Sequence, residues 1–204
     1  MTEFSPRKKP QQERSRRTYE TIVDTASDLL VEDGYHNMST NKIADRAGVS
    51  VGSIYQYFPN KEAIVLAVIE QFAERQYELL ADGVERIQGM GLEGSIRLII
   101  ANMIHAKRED PQLNRVLFEE LPAVGQHDLM HEWIERASTL VRSTLENRDE
   151  KFRPEDLETA AFLLVNACHG IVHGTVARRP DLLEDEELVD ETTEMILRYI
   201  EPRK

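Results

Sequence analysis

The stretch that most constrains this chain is Thr40 to Phe58, TNKIADRAGVSVGSIYQYF, where two short helical patterns meet at a glycine. Ile43, Ala44 and Ala47 recur at spacings that place them on one face of a helix, and Ile54 and Phe58 lie one turn apart in the next. Gly48 can take the positive φ of a sharp turn, Val49 can fill the angle between the helices, and Ser50 can cap the second. Ala44 is small where two crossing helices approach. Ser53, Tyr55, Gln56 and Tyr57 place hydrogen-bonding groups on a helix that needs few of them to fold. A surface hairpin that binds nothing leaves those groups unexplained. A helix-turn-helix whose second helix lies in a DNA major groove uses them.

The net charge of −12 argues against a DNA partner until it is divided along the chain. Residues 1–61 carry nine Lys/Arg and eight Asp/Glu, for +1, while residues 62–204 carry sixteen and twenty-nine, for −13. Residues 1–17 alone hold six basic and two acidic side chains. The acidic bulk is therefore segregated from the candidate DNA-reading stretch. A polar, basic arm over residues 1–16 is expected, with Arg14, Arg16 and Arg17 able to touch phosphate or enter a minor groove; a solvated tail explains them equally well.

The rest of the chain reads as helix throughout. Ile22, Val23, Ala26, Leu29 and Leu30 make an amphipathic first helix stopped by Gly34. Ser39 is the expected N-cap of the second helix; Lys42 stands where a capping box wants Glu or Gln, so the reciprocal half is missing. Thr40 and Asn41 then stand at a helix N-terminus, whose free N–H groups favour a phosphate. A long fourth helix is expected over about Lys61–Ile87, followed by helices near Leu92–Glu109, Gln112–Glu120, Asp128–Asn147, Pro154–Ala177 and Asp185–Ile200. Proline-containing pairs such as Asp110-Pro111 and Arg179-Pro180 punctuate them. The lone Cys168 precludes an internal disulfide, the first residues lack the apolar core of a signal peptide, and no uninterrupted apolar run reaches ~18 residues. A soluble, cytoplasmic protein with no membrane partner is expected.

Ile43-Ala44, Ala47-Gly48-Val49-Ser50, Gly52, Ile54-Tyr55, Tyr57-Phe58 and Lys61-Glu62, with Ile22, Ala26, Leu29-Leu30 and Gly34-Tyr35 upstream, resemble the TetR-type bacterial transcriptional repressors. The likeness is close from about Arg17 to Leu66; beyond it only the family's general layout is shared. The resemblance implies an all-α fold: after the arm, an N-terminal three-helix bundle with the helix-turn-helix over residues 17–60, joined by a long fourth helix to a ligand-binding and dimerisation domain over residues 61–204. It further implies that Thr40, Ser50, Gly52, Tyr55, Tyr57 and Lys61 grip the DNA backbone and that Asn41 and Gln56 face bases. Among the residues themselves, Gln56 can pair bidentately with adenine, Val51 can meet a thymine methyl, and Ser53 is a flexible donor or acceptor. Val51 to Tyr57 contains no Arg or Lys, which departs from the commonest way of reading guanine. Tyr57 can alternatively serve the core.

One helix-turn-helix reads few base pairs, so a homodimer on a palindromic double-stranded operator is expected. Ala167, Gly170 and Gly174 permit a close helix approach, and Leu188, Thr192, Met195, Ile196 and Tyr199 form an apolar stripe; both sets can equally pack on their own chain. Phe72, Met103, Leu117, Phe118, Trp133 and Phe162, with His105, Asn166 and His169 among them, have the chemistry of a small-molecule pocket and also of an ordinary helical core. By resemblance, an unidentified effector in this region tilts the fourth helix and releases the operator. His127/His131 and His169/His173 have metal-compatible one-turn spacing, but no third ligand is evident, so neither a metal nor a cofactor is expected. Control by a metal or a protein partner, a helical enzyme and a helical adaptor are the competing readings. No phosphate-cradling glycine loop, zinc-protease helix or nucleophile elbow supports the enzyme.

Overall fold

The computed structural model describes residues 12–109, 111–117 and 126–202, and among them it is helical with no strand. Helices α1 (Glu13–Asn37), α2 (Thr40–Ala47), α3 (Val51–Tyr57) and α4 (Lys61–Arg86) are followed by α5 (Leu92–Glu109), α6 (Pro111–Arg115), α7 (Gln126–Glu146), α8 (Leu157–Arg178) and α9 (Glu186–Ile200). The chain forms two compact units, Met1–Ala73 with Gln112–Leu129, and Glu74–Pro111 with Met130–Lys204. The first turns of α4 belong to the first unit, and their side chains Ile64, Val65 and Val68 join its core.

In the first unit, α1 buries Ile22, Val23, Ala26, Leu29 and Leu30 against Ile43 and Ala44 of α2, Ile54 of α3, Phe58, and Ile64, Val65 and Val68 of α4. Full burial of an Ile side chain contributes about 1.5–3 kcal/mol, so this cluster outweighs the weak propensity of two short helices. Helix α1 begins at Glu13, within the stretch expected to be an arm. Its exposed first turns are supported by i,i+4 pairs, Arg17 with Glu13 at 2.7 Å and Arg16 with Glu20 at 3.6 Å. Gly34, at φ 74°, interrupts the helix where the glycine was expected to stop it. The sixth helix runs over Pro111–Arg115 and is followed by a wider π-type turn at Val116 and Leu117, which together with Leu113 join the first core; the end of the expected helix, residues 118–120, lies outside the described residues.

In the second unit, α5, α8 and α9 share a core of Ile100, Ile104, Val172, Leu183, Val189 and Ile196. A second cluster joins Leu80, Ala137 and Val165, with Trp133 packed against it. Gly83 lies where α4 approaches α5, and a Cβ there would make ordinary van der Waals contact with the Asn102 side chain at 3.6 Å and Ile99 at 3.7 Å. Carboxylate caps start the last two long helices. Asp156 accepts from the Glu158 and Thr159 amides, and Asp185 from the Glu187 amide. Helix α8 is long and apolar enough to cross a membrane by length and composition alone, which counting uninterrupted apolar runs did not register. Its apolar side chains are spent on both sides: Ala160, Ala161, Val165 and Val172 are interior, whereas Phe162 and Leu163 are exposed.

Candidate nucleic-acid interface and effector cavity

The turn between α2 and α3 is fixed by backbone bonds that only a left-handed residue permits. Gly48 sits at φ 67°, ψ 29°. Its N–H donates to the Asp45 carbonyl, and the Val49 N–H donates to the Ala44 carbonyl at 3.0 Å. This is the paired arrangement of a Schellman motif, and it satisfies the last carbonyls of α2. Val49 packs half-buried on the core. Ser39 caps α2 by accepting from the Lys42 amide at 3.3 Å, and Ser50 caps α3 by accepting from the Ser53 amide at 3.0 Å. A third cap, Asn60 accepting from the Ala63 amide at 2.8 Å, starts α4.

On this frame Ile54 is buried, so α3 turns its other face out. Tyr55 is 43% exposed, and Gln56, Gly52, Ser50 and Asn41 are exposed as well. The Tyr55 Oη lies 3.5 Å from the Thr40 Oγ1, which brings the α2 N-terminus beside the middle of α3. Val51 and Ser53 are half-buried, the latter with its hydroxyl 2.8 Å from that of Ser50. Tyr57 is divided between its two readings. It is half-buried, with its ring edge-on to Tyr19 at 6.1 Å, while Tyr19 stacks on Phe58 at 4.9 Å.

Three basic residues behave differently from a free phosphate clamp. The Lys61 Nζ donates to the Tyr35 carbonyl at 2.9 Å and lies 4.0 Å above the Tyr35 ring, so it ties the end of α1 to the start of α4. The Tyr35 hydroxyl closes the tie by donating to Glu62 at 3.2 Å. Arg46, which sequence reasoning passed over, forms a bidentate pair with Glu32, and Lys42 pairs with Asp33 at 2.7 Å. These pairs hold α2 on α1. Arg17 remains exposed on α1, paired with Glu13.

The second unit contains a cavity of about 100 Å³ with apolar walls, among them Leu80, Ile99, Met103, Trp133, Leu164 and Cys168. Of the residues expected to line a pocket, Met103 and Trp133 do. Phe72 and Leu117 instead fill the first unit's core. His105 is exposed on α5, and Phe162 is 53% exposed on α8. The Asn166 side chain donates to the Phe162 carbonyl at 2.8 Å, within its own helix. Phe118 lies outside the described residues, as does the His127 side chain. His169 is not in the wall itself; its ring centroid is 5.5 Å from that of Trp133 and 3.9 Å from that of His173. Burial, reinforced by Lys107 nearby, lowers the His169 pKa to about 4. Lys107, unnoticed in the sequence, is only 4% exposed, and burial lowers its pKa to about 7. Burial also raises the Cys168 thiol to about 11. No group of three His, Cys, Asp or Glu arranged for a metal exists among the described residues.

The expected dimer residues divide as well. Thr192 and Ile196 are buried in their own unit, the latter in the α5–α8–α9 core and the cavity wall, because α9 turns that side inward. Met195 is exposed, and Ala167, Leu188 and Tyr199 are half-buried. A Cβ built on Gly170 or Gly174 meets nothing within 4 Å.

Comparison with known proteins accords with this geometry. The family model described as bacterial regulatory proteins, tetR family, matches residues 22–68, and that of the tetracyclin repressor-like C-terminal domain matches residues 92–200. The chain is 44% identical over 64 residues to the fatty acid metabolism regulator protein of Bacillus subtilis, covering 29% of this chain and 33% of the relative. It is 25% identical over 131 residues to the transcriptional repressor KstR of Rhodococcus jostii, covering 62% of this chain and 58% of the relative. The chain thus spans about a third and under two thirds of those relatives' lengths. The fold is similar to that of the transcriptional regulator FadR from Bacillus subtilis, solved in complex with stearoyl-CoA (TM-score 0.64, 23% identity, 87% of this chain and 97% of that one). With one family model covering the α1–α4 region and a second covering more than half of the chain, this protein belongs to the TetR family of bacterial regulators.

Proposed function

We propose that this protein is a cytoplasmic, homodimeric repressor that reads a palindromic DNA operator and is released from it by a small, largely apolar effector. The observation that carries the reading is α3 itself. Its one buried side chain is Ile54, so Tyr55 and Gln56 are exposed on the outward face, and helix-turn-helix modules present their reading helix in this way. Backbone grips from Thr40, Ser50, Gly52, Tyr55 and Tyr57 fix the register, while Gln56, Asn41, Val51 and Ser53 read base edges. The effector-bound relative and the apolar cavity support ligand control. An effector shifts the dimer off DNA only by preferring the conformation whose reading helices are wrongly spaced.

The test is selection of duplexes from a random pool, followed by titration of the selected site. A palindromic site bound two subunits at a time, with affinity lost in Tyr55→Ala while the dimer persists, is the expected result. Failure to enrich any sequence, or enrichment unaffected by Tyr55→Ala, would overturn the reading.

A further inference from the structure

The cavity of the second unit is lined on three sides by apolar helix faces: Ile96, Ile100 and Met103 on α5, Trp133 and Val141 on α7, and Cys168 on α8. Among the described residues its wall holds no carboxylate, ammonium, guanidinium, imidazole or amide side chain. Burial keeps the Cys168 thiol protonated, so the sulfur offers a ligand only a weakly polar surface. One strong polar group is left. The Trp133 Nε1 is buried and meets no acceptor among the described residues, although a buried indole N–H ordinarily finds one. The His169 ring packs against the indole at 5.5 Å between centroids, yet it does not accept from that N–H. A water molecule would be poorly held there, because it needs two to four polar partners and the wall gives it one firm donor and a thiol.

We propose, resting on the effector reading above, that the effector is a compact, uncharged molecule of about one ring with a single hydrogen-bond acceptor. The acceptor takes the Trp133 indole N–H, and the remainder fills the apolar cavity. Volume sets the size: the cavity measures about 100 Å³, and an apolar cavity of roughly 150 Å³ takes a benzene. The wall sets the charge, since an ion entering it loses hydration and meets no opposite charge among the lining side chains. The indole sets the acceptor. Pairing it satisfies a buried donor that a hydrocarbon of the same shape leaves unsatisfied.

Acetophenone, cumene, benzoate and benzamidinium each carry one ring and a substituent of matched size. They differ in offering a neutral acceptor, no polar group, a negative charge and a positive charge. Each is titrated into the isotope-labelled full chain without DNA, so the result does not depend on whether the chain reads an operator. Trp133 is the only tryptophan, so the single indole N–H resonance belongs to it. Acetophenone is expected to move that resonance downfield to saturation, whereas bound cumene does not, and both ions are expected to bind at least tenfold more weakly than acetophenone. By calorimetry, Trp133→Phe should weaken acetophenone about threefold to tenfold and leave cumene within about twofold. Acetophenone binding that leaves the indole resonance unmoved, or either ion binding as tightly as the ketone, would overturn the ligand class while leaving effector control standing. Binding of none of the four would overturn the proposal and, with it, the cavity as the seat of that control. The indole resonance decides the question on the unmodified protein even where Trp133→Phe does not fold.

Discussion

At the scale of single residues, Gly48 isolates backbone conformation from packing. A Cβ there would touch nothing within 4 Å, so any penalty of substitution comes from φ 67° alone. Gly48→Ala is expected to cost about 1–2 kcal/mol, read as a lowered urea midpoint with unchanged slope. The half-buried histidines His169 and His173 make a prediction of a different kind. Burial, with Lys107 nearby, depresses His169 to about 4, and burial, His169 and Lys107 depress His173 further. The unfolded chain takes up protons on these rings near pH ~6.5, and the folded chain does not. The histidine contribution is therefore full above that point and falls as the pH drops toward about 4, the folded value for His169, while Lys107, lowered to about 7, makes stability rise further at higher pH. Urea unfolding at about pH 7 and about pH 5 should show the loss, and His169→Gln should shrink it. Lys107 shows where sequence reading stops: within Ala106-Lys107-Arg108-Glu109 it looks like one of several solvated charges, and only tertiary packing buries it.

At the scale of elements, α3 was legible because its periodicity, its serine caps and its glycine turn are all local. Ser39, Gly48 and Ser50 act as their residue types dictate. What depends on distant partners was not legible. Nothing in the spacing of Phe162 reveals which side of α8 faces outward, and the Lys61 ammonium meets the Tyr35 carbonyl across twenty-six residues. The first turns of α1 were missed because their support is a series of exposed ion pairs on a strongly polar segment. For the reading helix, Gln56→Ala should lose about 1–3 kcal/mol of discrimination at one base position, leaving binding to other sequences nearly unchanged. Anisotropy titrations against single-base operator variants separate this from a uniform loss, which would mean that Gln56 touches only the backbone.

At the scale of the whole molecule, the proposed pairing surface runs along α8 and the outward side of α9, where Phe162, Leu163 and Met195 are exposed and Gly170 and Gly174 leave open space. Gly170→Glu tests it cleanly. Inside one subunit a Cβ there meets nothing within 4 Å among the described residues and replaces a poor helix former, so the fold should hold or gain up to ~1 kcal/mol. Across a closely packed two-fold face it places a pair of carboxylates against apolar surface. Sedimentation should then report a monomer with unchanged helicity; a dimer of unchanged affinity would move the pairing surface elsewhere.

The two glycines in the middle of α8 also carry a penalty. Each weakens an isolated helix by roughly 0.5–1 kcal/mol relative to alanine, and no close approach of a described residue inside the subunit requires a glycine at either position. If a second subunit supplies the compensation, resistance to heat becomes a matter of abundance: dilute samples melt earlier than concentrated ones. A cell holding few copies would then keep part of its pool unpaired and prone to unfolding, so dosage and durability would rise together.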